Sequence, residues 1–411
     1  MPHDRLNYLL QQKLNNLEFA ELKKGRENVI NGVIPKMGAE GPRFLLEGQK
    51  DKRFLRMNSN NYLGMSFQSR VLFAAETAVK KFGAGPGAVR FISGTWSPHI
   101  ELENTLASFH GRKSCMIYSS AYAAVMGVLP PLISENTAVI SDELNHNCII
   151  NAIALAKPGK KYIYSHLDLT ELEEQLANAS KSCSRAIVVT DGIFSMRGDH
   201  APLKQISELI RTYDKLFPEN VLLVVDDSHG VGSFGETGRG TEEYTGAEAI
   251  DVLIATLGKA FGVNGGYVVA DTTLVNYLRE TSPFYIYSNP ITMGEAAAAD
   301  QAVRILDSSL GVKLLKHLQM MTAKFEAGIL KLDLETITSE HPIVPLMVRN
   351  DRCTTELNHH LMANGILATG LNYPVVPKGD EEIRFQISAD HTPADIDIAL
   401  NAIETFIRRS V

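Results

Sequence analysis

One lysine, Lys259, stands among Gly258, Gly262, Gly265 and Gly266, directly after the apolar run Val252–Ala255. Glycine permits backbone conformations that other residues avoid and lets a ligand approach the main chain. The amine is therefore either a solvated loop cation or a group held against a bound molecule. Other chemistry-bearing residues stand in comparable places. Val221–Val225 runs into Asp226-Asp227-Ser228-His229, charged groups that are costly at the mouth of a buried strand unless they meet a ligand or one another. Ser119-Ser120-Ala121-Tyr122 joins the apolar run Ser114–Tyr118 to a helical stretch. Free N–H groups and the helix dipole there suit a phosphate, although simple N-capping by the serines fits the same residues. Asp142–His146 and Asp191–Ser195 follow two further apolar runs. His146 either stacks on a flat ring or fills a hydrogen bond in the core. Arg384, in the alternating stretch Ile383–Ile387, is either half of a surface pair or a bidentate clamp for a carboxylate.

Taken together, these are the parts a pyridoxal phosphate site needs. It requires a lysine for the Schiff base, a carboxylate for the pyridine nitrogen, a phosphate cradle, a flat partner for the ring and an arginine for a substrate carboxylate. Gly230-Val231-Gly232-Ser233-Phe234-Gly235 matches the dinucleotide fingerprint in letters only. It does not follow its strand directly, and Glu236-Thr237-Gly238-Arg239-Gly240 after it is no helix, so a nicotinamide reading is rejected. Neither metal-ligand spacing nor a serine-hydrolase elbow is present.

These residues need a scaffold that delivers them to one place. Short apolar runs at 114–118, 138–141, 161–164, 186–190, 221–225, 252–255 and 267–270 alternate with helical stretches such as Leu169–Ser180 and Leu203–Tyr213. That pattern predicts an α/β fold with a mostly parallel sheet covered on both faces, and ligands bound beyond the strands' carboxyl ends. After Pro290 the texture changes to a helical stretch over 293–332, strand-like pieces at 343–348 and 382–388, and a last helix over 393–409. Leu6, Leu10, Leu14 and Leu17 predict an amphipathic N-terminal helix within residues 1–28. It either caps its own core or grips a second subunit.

The chain of 411 residues, 45% hydrophobic and 21% charged, is of ordinary globular composition. Its net charge of −7 argues against a nucleic-acid partner. No apolar run reaches the roughly 18 residues of a membrane span; Ala121–Ile133 is interrupted by Pro130 and Pro131. Four scattered cysteines and no visible leader segment make a cytoplasmic location the expectation.

Asn60-Asn61-Tyr62-Leu63-Gly64, Val89–Thr95, Ser141–His146, Asp191–Met196, Asp226–His229 and Thr256–Lys259 occur in this order. With Val375–Gly379 and Ser388–Pro393, the chain from about Asn58 onward resembles the α-oxoamine synthases, fold-type I pyridoxal phosphate enzymes that condense an amino acid with an acyl-CoA. Within that family it is most similar to members that join glycine to acetyl-CoA. The alternative is a member that uses alanine or serine and a longer thioester. The resemblance implies Lys259 as the Schiff-base lysine, Asp226 at the pyridine nitrogen, His229 and Ser195 at the ring oxygen, and His146 stacked on the ring. It implies Ser120, Ala121, Tyr122 and Thr256 around the phosphate, with Ser288 reaching it from the other subunit of a homodimer. Asn60 and Arg384 match positions that hold the amino acid. Domains are expected at 1–57 (arm and helix), 58–290 (large cofactor-binding domain) and 291–411 (small α+β domain). The chain departs from the family at Trp96 and Pro98, at Asn289-Pro290, and in a short loop at 260–266. Trp96 either shortens an acyl pocket or packs a core.

Overall fold

The computed structural model describes residues 3–19, 27–49, 52–248 and 250–410. Its strands, in chain order, are β1 (Ile30–Ile34), β2 (Arg43–Leu46), β3 (Leu55–Arg56), β4 (Ser114–Tyr118), β5 (Thr137–Asp142), β6 (Lys160–Tyr164) and β7 (Arg185–Asp191). They continue as β8 (Val221–Asp226), β9 (Val252–Thr256), β10 (Gly266–Ala270), β11 (Ile343–Met347), β12 (Ile366–Leu367), β13 (Thr369–Leu371) and β14 (Glu382–Gln386).

Seven strands form one sheet in the order β4-β10-β9-β8-β7-β5-β6. Pairing is parallel from β9 through to β6, and only β10 runs against its neighbours β4 and β9. Alternate residues of each strand feed two cores. Leu253 and Ala255 join one cluster, while Val252 and Ile254 join the other. Both faces are covered, which is why these strands read as unbroken apolar runs rather than as an alternation. Each fully buried Val, Leu or Ile contributes about 1.5–3 kcal/mol.

This topology sets the chemistry at one rim. The carboxyl ends of β4, β5, β7, β8 and β9 share an edge with the start of β10, where Gly266 lies opposite both Tyr118 and Thr256. Every candidate segment from Ser119 to Lys259 leaves the sheet at that edge. The mostly parallel α/β architecture is thus as the sequence predicts.

Two expectations need correction. The helical stretch 293–332 is two helices, Met293–Leu306 and Ser309–Lys331, because Asp307 ends the first and Ser308 caps the second through Leu310 N. The segment 1–57, taken from sequence as an arm, divides. The helix Asp4–Phe19 has no buried residue, so it does not cap this chain's core, and residues 20–26 lie outside the described residues. Residues 43–57 instead join the C-terminal part. β3 pairs with β12, and Arg43 Nη2 donates to Asp395 Oδ1 at 2.6 Å with both side chains buried. Asp395 Oδ2 also accepts from Gly41 N and Thr392 N. A second sheet, β11-β14-β13, presents Arg384 toward the large sheet's rim.

Removing one partner of a buried, hydrogen-bonded ion pair costs about 3–5 kcal/mol. Asp395→Ala should therefore lower the unfolding free energy by that amount in urea denaturation. A loss below about 1 kcal/mol would show that the Arg43–Asp395 link is dispensable.

Candidate active site

Ser120, Ala121, Tyr122, His146, Ser195, Asp226, His229, Thr256 and Lys259 line one cavity of about 250 Å³, together with Cys148, Asp191, Ile193 and Ser228. These residues leave different strands, and the shared sheet edge brings them together. Asn60 and Arg384 stand beside the cavity, tied to it by hydrogen bonds given below. Ser288 is not in its lining, and its hydroxyl is directed to Asn289 O at 3.5 Å.

One wall is built for an anion. The helix Ala121–Leu132 begins at the cavity, with Ser120 Oγ accepting from Ala123 N at 3.1 Å. A helix start leaves backbone N–H groups pointing outward with the positive end of the dipole. A Cβ on Gly266 would lie 2.2 Å from Ala121 N, so only glycine lets the helix start lie against β10. Thr256 Oγ1 accepts from Gly258 N at 3.0 Å and donates to Gly265 O at 3.1 Å, which fixes the turn that carries Lys259.

The opposite wall is acidic. Asp226 ends β8, where its Oδ1 accepts from Ser228 N at 3.1 Å and Cys148 Sγ lies 3.7 Å from its Oδ2. Burial, then the neighbouring Asp226 carboxylate, pushes Asp191 well above the usual carboxylate range. Asp191 Oδ2 accepts from His146 N at 3.1 Å. Lys259 Nζ makes no hydrogen bond or ion pair among the described residues. Burial pushes its amine down to about 8, against the upward pull of Asp226 and Asp191.

Burial disfavours the charged form of both histidines. Burial lowers His146, whose Nδ1 accepts from Cys148 N at 3.3 Å and caps the helix Asn147–Ala156. Burial and then Lys259 lower His229 far below its ordinary value. His229 Nδ1 lies 2.8 Å from the Tyr62 hydroxyl, and His341 Nε2 donates to the His229 carbonyl at 2.9 Å. Arg384 donates from Nη1 to Ser195 O at 2.7 Å and has no carboxylate partner among the described residues.

Asp226 and Asp227 part company, because successive residues of a strand point to opposite sides. Asp227 is fully buried away from the cavity, where it accepts from Thr241 N and Thr241 Oγ1 at 2.7 Å each. Burial pushes it up to about 7. A Cβ at Gly192, Gly230 or Gly240 would lie about 2 Å from its carboxylate. The misleading glycine motif at 230–235 therefore wraps a structural carboxyl rather than a pyrophosphate. Trp96 Nε1 donates to Pro86 O at 3.2 Å and its ring meets Phe82 edge-on, and it is not among the residues that line this cavity.

Sequence reasoning passed over Tyr62, Cys148, Gln386 and His341. Two of these carried a usable signal. Tyr62 lies in the quoted Asn60–Gly64 motif, and Gln386 is two residues after Arg384 on a strand, hence on the same face.

The loop that presents Ser195 is pinned from below. His166 Nδ1 lies 3.0 Å from Asp142 Oδ1, its Nε2 lies 3.3 Å from Asp199 Oδ2, and its ring packs edge-on against Phe194 at 4.4 Å. Arg197 Nε donates to the same Asp199 oxygen at 2.7 Å.

The sequence profile of the family described as Aminotransferase class I and II matches residues 52–403. The 8-amino-7-oxononanoate synthase of Thermosipho melanesiensis is 40% identical over 366 residues, covering 89% of this chain and 90% of that one. The mitochondrial 2-amino-3-ketobutyrate coenzyme A ligase of Bos taurus is 36% identical over 405 residues, covering 98% and 92%. Among solved structures, Sphingomonas wittichii serine palmitoyltransferase superposes with a TM-score of 0.88 at 23% identity, over 99% of this chain and 98% of that one.

The His166 pin predicts a pH dependence. Burial alone would lower this imidazole, but the hydrogen bonds to Asp142 and Asp199 outweigh it and raise it to about 9. A raised value means that the stabilisation is complete below the unfolded value of about 6.5 and is lost as pH climbs through about 9. The gap in urea midpoint between the unsubstituted protein and His166→Asn should therefore narrow from pH 6 to pH 10. A constant gap across that range would remove the charged-pin account.

Proposed function

We propose, from the premise that the chain belongs to the aminotransferase class I and II family and to its α-oxoamine synthases, that it condenses alanine with a long acyl thioester. The α-oxoamine synthases are pyridoxal phosphate-dependent acyltransferases. The observation that carries the reading for this chain is Lys259, an amine held near neutrality between a helix start and Asp226 in one cavity.

The residues present fit the cofactor. The unpaired N–H groups at Ala121 and Tyr122, with Ser120 and Thr256, would hold its phosphate. Asp226 would hold the protonated pyridine nitrogen, His146 the ring face, and His229 and Ser195 the ring oxygen. When bound, the cofactor supplies a carbonyl that condenses with amines and a ring that stores the electron pair released at a substrate α-carbon.

The chain's own residues do the rest. Arg384 clamps the amino acid's carboxylate beside Asn60. Lys259, lowered to about 8, has a deprotonated fraction near neutral pH that an ordinary lysine lacks, and takes the α-proton as general base. His229, buried in the cavity wall, donates toward the thioester oxygen as negative charge develops there. Carbon–carbon bond formation expels CoA as its thiol, and loss of the amino acid's carboxyl group as CO2, with a proton taken up at the α-carbon, completes the balance.

The choice of substrates rests on the relatives. An 8-amino-7-oxononanoate skeleton divides at the bond between carbons 7 and 8. Carbons 8 and 9 with the nitrogen are alanine less its carboxyl group, and carbons 1–7 are an acyl chain with a terminal carboxylate. The higher identity to a synthase of that product favours alanine and a seven-carbon thioester over glycine and acetyl-CoA. The second reading, glycine with acetyl-CoA, is favoured by similarity to 2-amino-3-ketobutyrate coenzyme A ligase along nearly the whole chain. The same proposal takes the protein to act as a cytoplasmic homodimer, with Ser288 serving the partner's phosphate site.

The test is a matrix of glycine, alanine and serine against CoA thioesters of two to sixteen carbons, read by free thiol. Alanine with the carboxyl-terminated seven-carbon thioester should release thiol fastest; release with glycine and acetyl-CoA alone would transfer the proposal to the second reading. Lys259→Ala should lose at least about 10²–10⁴-fold in rate, the usual weight of a general base. Arg384→Ala should raise the amino acid KM about 10–100-fold, equivalent to ~1.5–3 kcal/mol, with cofactor affinity unchanged. Equal loss of both affinities would dismiss the clamp.

A further inference from the structure

Beside the cavity runs a chain of polar side chains whose donors and acceptors can be assigned from its fixed end. Gln386 is buried at the end of β14, and its side-chain amide has neighbours of opposite kind. On one side are Arg384 Nη2 at 2.8 Å and Arg384 Nε at 3.2 Å; on the other is the Met57 carbonyl at 3.2 Å. A guanidinium only donates and a carbonyl only accepts. One orientation alone satisfies both, with the Gln386 oxygen toward Arg384 and its NH₂ toward Met57 O.

That orientation propagates. The Asn60 amide atom 3.2 Å from the Gln386 oxygen must be its NH₂, because two oxygens cannot bond there. The same Asn60 atom lies 3.3 Å from the Tyr62 oxygen, so it donates to Tyr62 as well. Tyr62 is fully buried, and its hydroxyl proton then has His229 Nδ1, at 2.8 Å, as its acceptor. His229 is left with its proton on Nε2, which has no partner among the described residues, on a ring that lines the cavity. The opposite orientation of Gln386 would reverse every link and leave Nε2 bare. It would also set an NH₂ against a guanidinium.

We propose that Gln386 and Tyr62 are positioning residues that hold His229 as an Nε2–H donor toward the reacting centre, with Arg384 as the fixed end that sets the direction of the relay. This rests on the reading of the cavity as the cofactor and thioester site, and deepens it. The residue that clamps the substrate carboxylate also determines which way a hydrogen bond points on the far side of the site. Met57 O keeps its second bond, from Gln386 N at 2.8 Å, whatever the side chain does, so the backbone of β14 does not depend on the relay.

The test reads the tautomer directly. Full-length protein labelled with ¹⁵N-histidine, with and without pyridoxal phosphate, is examined by long-range ¹H–¹⁵N correlation, and His229 is assigned by its loss in His229→Gln. The expected pattern is a neutral ring protonated at Nε2. Without cofactor, Tyr62→Phe and Gln386→Leu should each move His229 to the Nδ1–H form or to a mixture. Gln386→Glu keeps an acceptor facing Arg384 and Asn60, so it should retain the Nε2–H pattern; a merely structural role for Gln386 would not separate Glu from Leu. The proposal is overturned if the unsubstituted protein carries the proton on Nδ1, or if Gln386→Leu and Gln386→Glu behave alike. An Nε2–H pattern in an enzyme that releases no thiol would end the acyl-transfer reading and leave the relay standing.

Discussion

A sheet buried on both faces has nowhere to put polar groups except its ends, and the rest of this structure depends on that. Backbone amides inside β5, β7, β8 and β9 are consumed by the ladder, and their side chains are apolar on both sides. Each chain turn at the carboxyl edge therefore carries whatever polarity its segment has. Parallel pairing makes those turns neighbours. Asp191 and Asp226 are register partners across β7 and β8, so two carboxyls meet by topology rather than by local sequence.

Such crowding would be costly if every group were charged, because desolvation penalises each isolated ion. The site meets this by shifting most of its members toward their neutral forms. Burial raises Asp191, lowers His146 and His229, and brings the Lys259 amine down to about 8. Arg384 stands at the edge of the cavity, bonded to Ser195 O and without a carboxylate partner among the described residues. What results is a base able to function near neutral pH and a cation that neutral acceptors hold in place and that an anionic substrate can meet.

Second-tier contacts serve this arrangement. Asp227 faces away from its neighbour Asp226 and gathers the glycine turns at 192, 230 and 240 around itself. His166 secures the loop that carries Ser195, and that loop's carbonyl in turn receives Arg384. The smaller β11-β14-β13 sheet thus touches the large one through side chains that belong to the site. Geometry in the cavity is therefore tied to how the two parts pack.

How much of this was legible in the sequence varied with the physics behind each residue. Strand positions of the seven-stranded sheet were readable almost to the residue, because burial on both faces leaves an apolar run that polar turns interrupt, whereas the short strands β1, β2, β3, β12 and β13 carried no such run and were not read. The cluster at the carboxyl edge was legible as a set for the same reason. Asp226 was separated from Asp227 by the family resemblance alone, since adjacent letters by themselves say nothing about which one a glycine turn will enclose. Trp96 read equally as pocket wall or as packing, and its contacts with Pro86 and Phe82 come from the tertiary structure alone. Tyr62 and Gln386 were hidden because their meaning lies in partners 167 and 326 residues away. By itself the sequence determined an α/β sheet and the kinds of group at its edge, because these follow from periodicity and local polarity. Tertiary structure alone decided which groups face the cavity, which are shifted toward their neutral forms, and which way their hydrogen bonds run, because burial and hydrogen-bond direction belong to neighbours distant in the chain.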